Sequence, residues 1–473
     1  MFAIILEPII NSPAACLLFI FSSFLIVQLL KSFHSYFLLR HIPGPFWAHF
    51  TGLWLSLQLW RGGDFAEICG KLTEKYGPVV RFGPKNVVVG DPSVIPIIYS
   101  TTHPWRKGVS YESALVVVNG KVIDSLVTTR NEERLTVIKR HISGAFSARA
   151  VSDYEHHVDD TLRSLIGWVG VSVPVVDLNR WFTLYAFKTI CQIAFSDGEF
   201  SEEDLKETIA ATVERFEHWQ SWFVLTGWEK LLYKNPLWQQ SVGPSLLSEK
   251  TVARVMQREA AGGPGKHDDL LDRYLEANRK APGDIPTSTV VGLVMSTINA
   301  GAETVAATMV NAMQFLINCP SAYSCLLKEL EDAKLESPPT FKSVNQLPYL
   351  EATLKETMRL NSVMLAPLER EVPAGGVELL GHHIPAGVSV GVSERAAAKS
   401  EVWGPEPLLF RPERWLEADD KARVKMERVF NGFGQGRRMC IGKHIAWMEM
   451  KKAIPDLLLN YKVMWPPSIS SAN

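Results

Sequence analysis

Cys440 lies in Phe433-Gly434-Gln435-Gly436-Arg437-Arg438-Met439-Cys440-Ile441-Gly442, a glycine-punctuated loop that leads into a helical stretch from Lys443. A thiol just before a helix meets its free amides and dipole, which favour the thiolate, the form that ligates metals. Gly436 permits the tight backbone such a loop needs, and Phe433 is placed to pack beside the sulfur. A second group, Ala300-Gly301-Ala302-Glu303-Thr304, falls inside a long apolar helical pattern, where glycine costs about 1 kcal/mol relative to alanine. Ala300, Gly301 and Thr304 are three or four residues apart and share a face, with the carboxylate of Glu303 beside it. Taken alone, the Thr304 hydroxyl is expected to bond to the carbonyl one turn back, at Ala300. A third group, Glu356-Thr357-Met358-Arg359, puts an acid and a base on one helix face, which on a solvated surface contributes only about 0 to 1 kcal/mol.

The Cys440 loop matches at every defined position F-x-x-G-x-R-x-C-x-G, the haem-binding signature of the cytochrome P-450 family, and the chain resembles that family from the Pro43-Gly44-Pro45 turn to Val463. The resemblance implies haem b, with Cys440 as the axial ligand of the iron, because a thiolate pushes electron density toward O–O cleavage. It implies that Arg438 pairs with a haem propionate and that Gly442 lets the helix approach the flat macrocycle. Ala300 to Thr304 is similar to the family's A-G-x-x-T, so Thr304 and Glu303 would organise proton delivery to dioxygen. Glu356 and Arg359, with Arg414 of Phe410-Arg411-Pro412-Glu413-Arg414-Trp415, resemble the E-x-x-R and P-E-R network, whose burial makes its role architectural. Arg370, in Pro367-Leu368-Glu369-Arg370, matches a position that contacts a propionate. Many members also carry Trp or His four residues before an Arg; here Leu135 and Lys139 stand there, leaving Lys139, with Arg140 beside it, as substitutes.

The same resemblance implies an oxidoreductase that takes electrons from NADPH through NADPH-cytochrome P-450 reductase, with cytochrome b5 as a further partner. Its substrate would be a lipophilic small molecule, since Met364 to Ala366 and the turn before Gly301 would line the pocket. Members of fungal secondary metabolism look nearest in the wording of Val344 to Leu360 and Phe410 to Trp415. Two other classes stay open: a haem-thiolate isomerase or dehydratase, against which the Glu303 and Thr304 pair argues, and an inactive haem-binding paralogue. Lys139, Arg140, Arg437, Lys443, Lys451 and Lys452 are expected on the cysteine side, where an acidic electron donor could dock.

These groups need a scaffold, and the chain has one to offer. Its 473 residues are 47% hydrophobic and 21% charged, enough for a sizeable core. Lys plus Arg number 49 against 50 Asp plus Glu, so no overall field favours nucleic acid. The six cysteines are scattered, as in a reducing compartment. Helical spacing covers Ala145 to Trp168, Thr287 to Asn318, Tyr323 to Leu335 and Leu347 to Leu360. Val79 to Val89 and Val377 to Val392 read as hairpins, the second turning at Pro385-Ala386-Gly387. The fold class is mostly α with a small β-sheet region, α+β. The Thr287 helix would run about 45 Å through the core.

Ala14 to Leu30 is apolar and closes at Lys31, as a membrane span does, and the acidic, base-free start argues against a cleaved signal. Lys31 and Arg40 place the downstream chain in the cytosol, and the family resemblance then implies a single-pass protein of the endoplasmic reticulum membrane in contact with lipid. The expected organisation is an anchor over 1–31, a linker with a proline hinge over 32–46, and one catalytic domain over 47–473. The aromatic-rich stretch Trp219, Trp222, Phe223, Trp228, Tyr233 and Trp238 suits a lid or a membrane-facing entrance. After Val463 the Pro- and Ser-rich tail is shorter than in the family, whose C-terminal hairpin reaches the pocket.

Overall fold

The computed structural model describes residues 13–465 apart from 116, 119–120, 124, 173, 197–200 and 236–245. Helix α1 (Pro13–Leu38) carries exposed Leu18, Phe19, Ile26, Leu29, Leu30, Phe33 and Phe37. It does not stop at Lys31. The stretch expected to be a linker is helical as far as Leu38 and then packed, with Leu39 and Ile42 fully buried. Arg81 explains the docking: its guanidinium donates to the carbonyls of Ser35 (3.0 Å), His49 (3.0 Å) and Pro84 (2.7 Å). Gly44 passes so close to Arg81 that a Cβ there would lie 2.1 Å from the Arg81 carbonyl oxygen. The Pro-Gly-Pro turn is therefore clamped to the sheet, not loose.

Four further helices frame the interior: α2 (Glu132–Ile142), α3 (Leu178–Phe195), α4 (Glu202–Ser221) and α5 (Thr287–Asn318). Asn131, Asp177 and Ser201 cap the first three, each accepting a backbone N–H, and Ser201 and Asp204 close a reciprocal capping box. Helix α5 has the bounds its pattern predicts, opening after Pro286 and closing at Cys319-Pro320. It is apolar and long enough to cross a membrane, but it is the core helix, with α3 packed along it; Val290, Leu293, Val294, Ile298 and Ala302 are buried. Helices α6 (Pro348–Leu360) and α7 (Lys443–Asn460) complete the haem-loop side. Two boundaries move. Ser147 caps a new helix and Tyr154 ends it, so Ala145 to Trp168 is interrupted, and the helix expected from Tyr323 starts at Pro320, a residue a first turn accepts.

Strands β1 (Val79–Gly83) and β2 (Asn86–Val89) form the first expected hairpin. Strands β3 (Val117–Val118) and β4 (Lys121–Val122) make a small separate pair. The second expected hairpin turns elsewhere. Strand β5 (Arg370–Glu371) is followed by β6 (Val377–Leu379) and β7 (His382–Ile384), which pair across Leu380 and Gly381, both at positive φ (51° and 78°). Two left-handed residues give the twist a two-residue hairpin needs, whereas Pro385 has no N–H for a ladder. Pro385 to Gly387 instead carries the chain to β8 (Ser389–Val392), which pairs parallel to β2 and antiparallel to β5, in the sheet order β1-β2-β8-β5.

Candidate active site

The Cys440 N–H donates to the Phe433 carbonyl at 2.8 Å, closing the loop into a hairpin-like turn. Gly436 must be glycine on two counts: its φ is +68°, and a Cβ would stand 2.1 Å from the Tyr99 carbonyl oxygen. At Gly442 a Cβ would meet nothing nearer than the Cys440 sulfur, 4.0 Å away. Phe433 lies 5.5 Å from the Trp447 ring, so the start of the loop leans on α7. Cys440 as a residue keeps exposed surface, yet burial pushes the thiol pKa up; the Gly442 amide, Lys139 and Lys443 act in the opposite direction. The helix-terminus effect expected from sequence is present, but desolvation outweighs it. A group both accessible and desolvated faces an interior space.

Helix α5 supplies a second wall. At mid-helix Ala300 is exposed and Gly301, Glu303 and Thr304 are half-buried, while Ile298, Ala302, Val305 and Ala306 around them are buried, which leaves one turn open. Thr304 Oγ1 donates to the Ala300 carbonyl at 2.7 Å, the local bond expected of it. Glu303 Oε1 is buried with no hydrogen-bond partner, and desolvation pushes the carboxyl pKa up to about 7. Gly301 does not belong to this open surface in the way its spacing suggests. A Cβ there would come within 2.7 Å of Ile190 Cγ1 on α3, so its smallness lets two helices approach.

Around these walls four cations gather. Arg370, which could have been a surface residue, is buried, donates to the Leu368 and Glu369 carbonyls (3.1 and 3.0 Å) and lies 5.0 Å from the Tyr99 ring centre. Arg438 donates to Glu132 Oε1, at 2.5 Å from Nη2. Lys139 reaches the Cys440 loop, Nζ to the Arg437 carbonyl at 2.5 Å, whereas Arg140 turns to Asp284 at the surface. Leu135, at the departed position, is core. Lys107, which no sequence pattern singled out, is buried with Nζ 4.0 Å from the Tyr111 ring centre. Desolvation first, then Arg370 and Arg438, hold its pKa well below the usual lysine range. Glu132 is the carboxylate that offsets this cluster. Excess buried positive charge is costly unless anions meet it, and the two propionates of haem would do so. Among the described residues no three His, Cys, Asp or Glu come together as a bare-ion site, so a metal at Cys440 would take its other ligands from a bound group. The donor set fits haem.

The third predicted group closes into a network at one carboxylate. Glu356 Oε2 accepts from Arg359 Nε (2.8 Å), and Oε1 accepts from Arg414 Nε (2.7 Å) and the Arg411 N–H (3.1 Å). The arginines also donate to the carbonyls of Ala398, Trp403, Glu406, Pro407 and Leu409, so α6 is laced to the segment that precedes the Cys440 loop.

Other expectations divide. Lys451 and Lys452 are buried, paired with Glu351 (2.9 Å) and with Glu155 and Asp159 (2.5 and 2.6 Å), and so do not belong to a basic face. Of the aromatic stretch, Trp219 and Phe223 are core, Trp228 and Tyr233 are exposed, and Trp238 lies outside the described residues. Met364 is half-buried, Leu365 exposed and Ala366 buried, with Met364 and Ala366 packed in one cluster with Tyr111 and Trp219.

The cytochrome P450 family model matches residues 42–470. A cytochrome P450 monooxygenase of Aspergillus terreus is 33% identical over 485 residues, covering 97% of each chain. The cytochrome P450 monooxygenase cicH of Emericella nidulans is 31% identical, covering 90% of this chain and 88% of its own. The corresponding figures for asR2 of Sarocladium schorii are 30%, 90% and 88%.

Proposed function

This chain belongs to the cytochrome P450 family as a monooxygenase, and from that premise we propose that it receives electrons from NADPH through a flavoprotein reductase and oxidises a lipophilic small molecule in secondary-metabolite biosynthesis. The observation that carries the reading is Cys440, exposed as a residue and with a desolvated thiol, at the end of a loop that Gly436 sets, among cations in excess of their carboxylates. Haem b bound there, its iron held by the Cys440 thiolate, would supply oxygen activation. Lys107, Lys139, Arg370 and Arg438 are the cations that would receive its carboxylates, and Phe433 would shield the sulfur.

Glu303 is the proton-handling residue of this reading. A carboxyl with a pKa near neutrality exchanges protons readily at cellular pH, and Oε1 has no internal partner to hold it back. Thr304 lies next to it, and its hydroxyl, which donates to the Ala300 carbonyl at 2.7 Å, can pass a proton on while accepting one. Helix α1, with its exposed apolar side chains, supports anchoring in the endoplasmic reticulum membrane with the catalytic body on the cytosolic side, and Arg140, Arg437 and Lys443 supply the basic surface for a reductase or cytochrome b5.

The test is the ferrous carbon-monoxide difference spectrum of the detergent-solubilised protein beside Cys440→Ala. A red-shifted Soret band in the wild type alone supports thiolate ligation; an unshifted band unaffected by the substitution removes it. NADPH-dependent turnover with added reductase then separates a monooxygenase from an isomerase or dehydratase, which needs neither.

A further inference from the structure

Asn431 stands at the entrance to the Cys440 loop. Its carbonyl accepts the Gly434 N–H at 2.8 Å, and Phe433, enclosed by that turn, carries the carbonyl that receives the Cys440 N–H. Its side chain reaches a distant part of the chain: Asn431 Nδ2 donates to Glu394 Oε1 at 2.6 Å. Glu394 opens the one-turn helix Glu394–Ala397, which follows β8. One hydrogen bond thus ties the entrance of the loop to the end of the sheet.

That bond leaves the amide half satisfied. Asn431 is buried, and its Oδ1 is covered with no hydrogen-bond partner, which is costly for an amide oxygen. A carboxylate has no proton to give it. A carboxylic acid has one: while Oε1 accepts from Nδ2, an O–H on Oε2 donates to Oδ1, and both ends of the amide are met. Glu394 itself is half-buried, and the space beside it consists of two cavities of about 10 Å³ each, room for no more than one water apiece. Such thin hydration disfavours the charged form, and burial pushes the Glu394 carboxyl up to about 7.

The groups around it offer no counter-charge. Arg359 lines one cavity, but its donors go to Glu356 and to the Ala398 and Pro407 carbonyls. Cys69, of the helix Phe65–Tyr76, lines the other, and burial keeps its thiol protonated, as it does the phenol of Tyr99, whose hydroxyl accepts the Val392 N–H at 3.3 Å. Arg395, the next residue, is exposed and acts on Glu67 and Glu74, and Lys399 pairs with Glu74.

We propose that Glu394 is a positioning residue for the Cys440 loop: as a neutral acid it clamps the Asn431 side chain with two hydrogen bonds, and loss of its proton opens one of them and places a negative charge at the base of the loop. The effect on the iron rests on the haem-thiolate reading above. The clamp itself does not.

The test is infrared difference spectroscopy of the full-length haem-loaded protein between about pH 5 and about pH 9, with the ferric–ferrous midpoint potential followed over the same range, for wild type, Glu394→Gln and Glu394→Ala. In the wild type a protonated-carboxyl band that Glu394→Gln lacks disappears with a midpoint near pH 7, and the potential falls through the same step as negative charge is added. Glu394→Gln, whose amide makes both bonds with Asn431 at every pH, keeps the low-pH potential throughout. Glu394→Ala makes neither bond and loses about half or more of its haem, read as Soret absorbance per protein. A wild type without that band, the same step of potential in Glu394→Gln, or full haem in Glu394→Ala overturns the proposal. The carbon-monoxide spectrum of the same samples keeps the two readings apart: a carboxyl that titrates as described in a protein with no red-shifted band at any pH leaves the clamp standing and removes the monooxygenase reading alone.

Discussion

Trp415 Nε1 donates to Glu356 Oε2 at 3.0 Å, so the same oxygen that accepts from Arg359 Nε in the E-x-x-R spacing is held by an indole as well. Every strong donor around Glu356 is buried: Arg359 and Arg414 are 5% and 4% exposed, and Glu356 is fully covered. The two ends of this network differ in kind. Glu356→Leu strands two buried guanidiniums and is expected to cost about 3 to 5 kcal/mol of stability. Trp415→Phe removes one neutral donor and should cost about 1 to 3 kcal/mol. Urea unfolding of the two variants reads both, and equal losses would refute the central place given to the carboxylate.

Glu303 gives the proposed chemistry a pH signature. With its pKa near 7, the carboxyl loses its proton as pH rises through neutrality, so coupled turnover that draws on that proton falls above about pH 7. Glu303→Gln and Thr304→Ala are expected to divert reducing equivalents to hydrogen peroxide, and the Gln variant to lose the pH limb. Peroxide released per NADPH oxidised, followed from acid to alkaline pH, measures this without knowledge of the product. A limb retained in Glu303→Gln assigns it to another group.

Glu369 is fully buried, accepts from Asn86 Nδ2 at 2.7 Å, and has its carboxyl pushed up to about 7 by burial. The folded state therefore holds a proton that the unfolded chain gives up near 4.5. Its contribution is fully present below about 4.5 and is lost as pH rises to about 7, on the order of 3 kcal/mol. Glu369→Gln, neutral at every pH, should gain on the wild type by that order between pH 5 and pH 8. Denaturation midpoints at the two pH values test the sign.

Gly436→Ala combines a left-handed backbone with a Cβ driven onto the Tyr99 carbonyl oxygen, a backbone atom that cannot step aside. The variant is expected to fold and lose most of its haem, read as Soret absorbance per protein. Full haem content would show that the loop tolerates a different path.

Gly301→Ala instead meets Ile190 Cγ1 and Cδ1, 2.7 and 2.9 Å from the new Cβ, side-chain atoms that can shift in part. A loss of about 1 to 3 kcal/mol is expected, and it should be smaller beside Ile190→Ala, which removes both atoms. Simple additivity of the two would remove the contact as the reason for the glycine.

The course of α5, the first hairpin, the Cys440 loop and the Glu356 and Arg359 pair were legible in the sequence because each depends on near neighbours: a hydrophobic period, a proline stop, a glycine at positive φ, a three-residue spacing; Arg414 was placed with that pair only by the family resemblance. What lay beyond it came from elements distant along the chain. Lys107, Glu132, Arg370 and Arg438 are far apart in sequence, and only the packing of α2 beside the Cys440 loop and β5 makes them one cationic cluster. Lys451 and Lys452 look like surface lysines until Glu155, Asp159 and Glu351 are brought to them. Gly301 reads as room for a ligand and proves to be room for Ile190. Local bonding and chain stiffness act over a few residues and leave their mark in the sequence, whereas the field and free space at an atom are sums over everything that folding places around it.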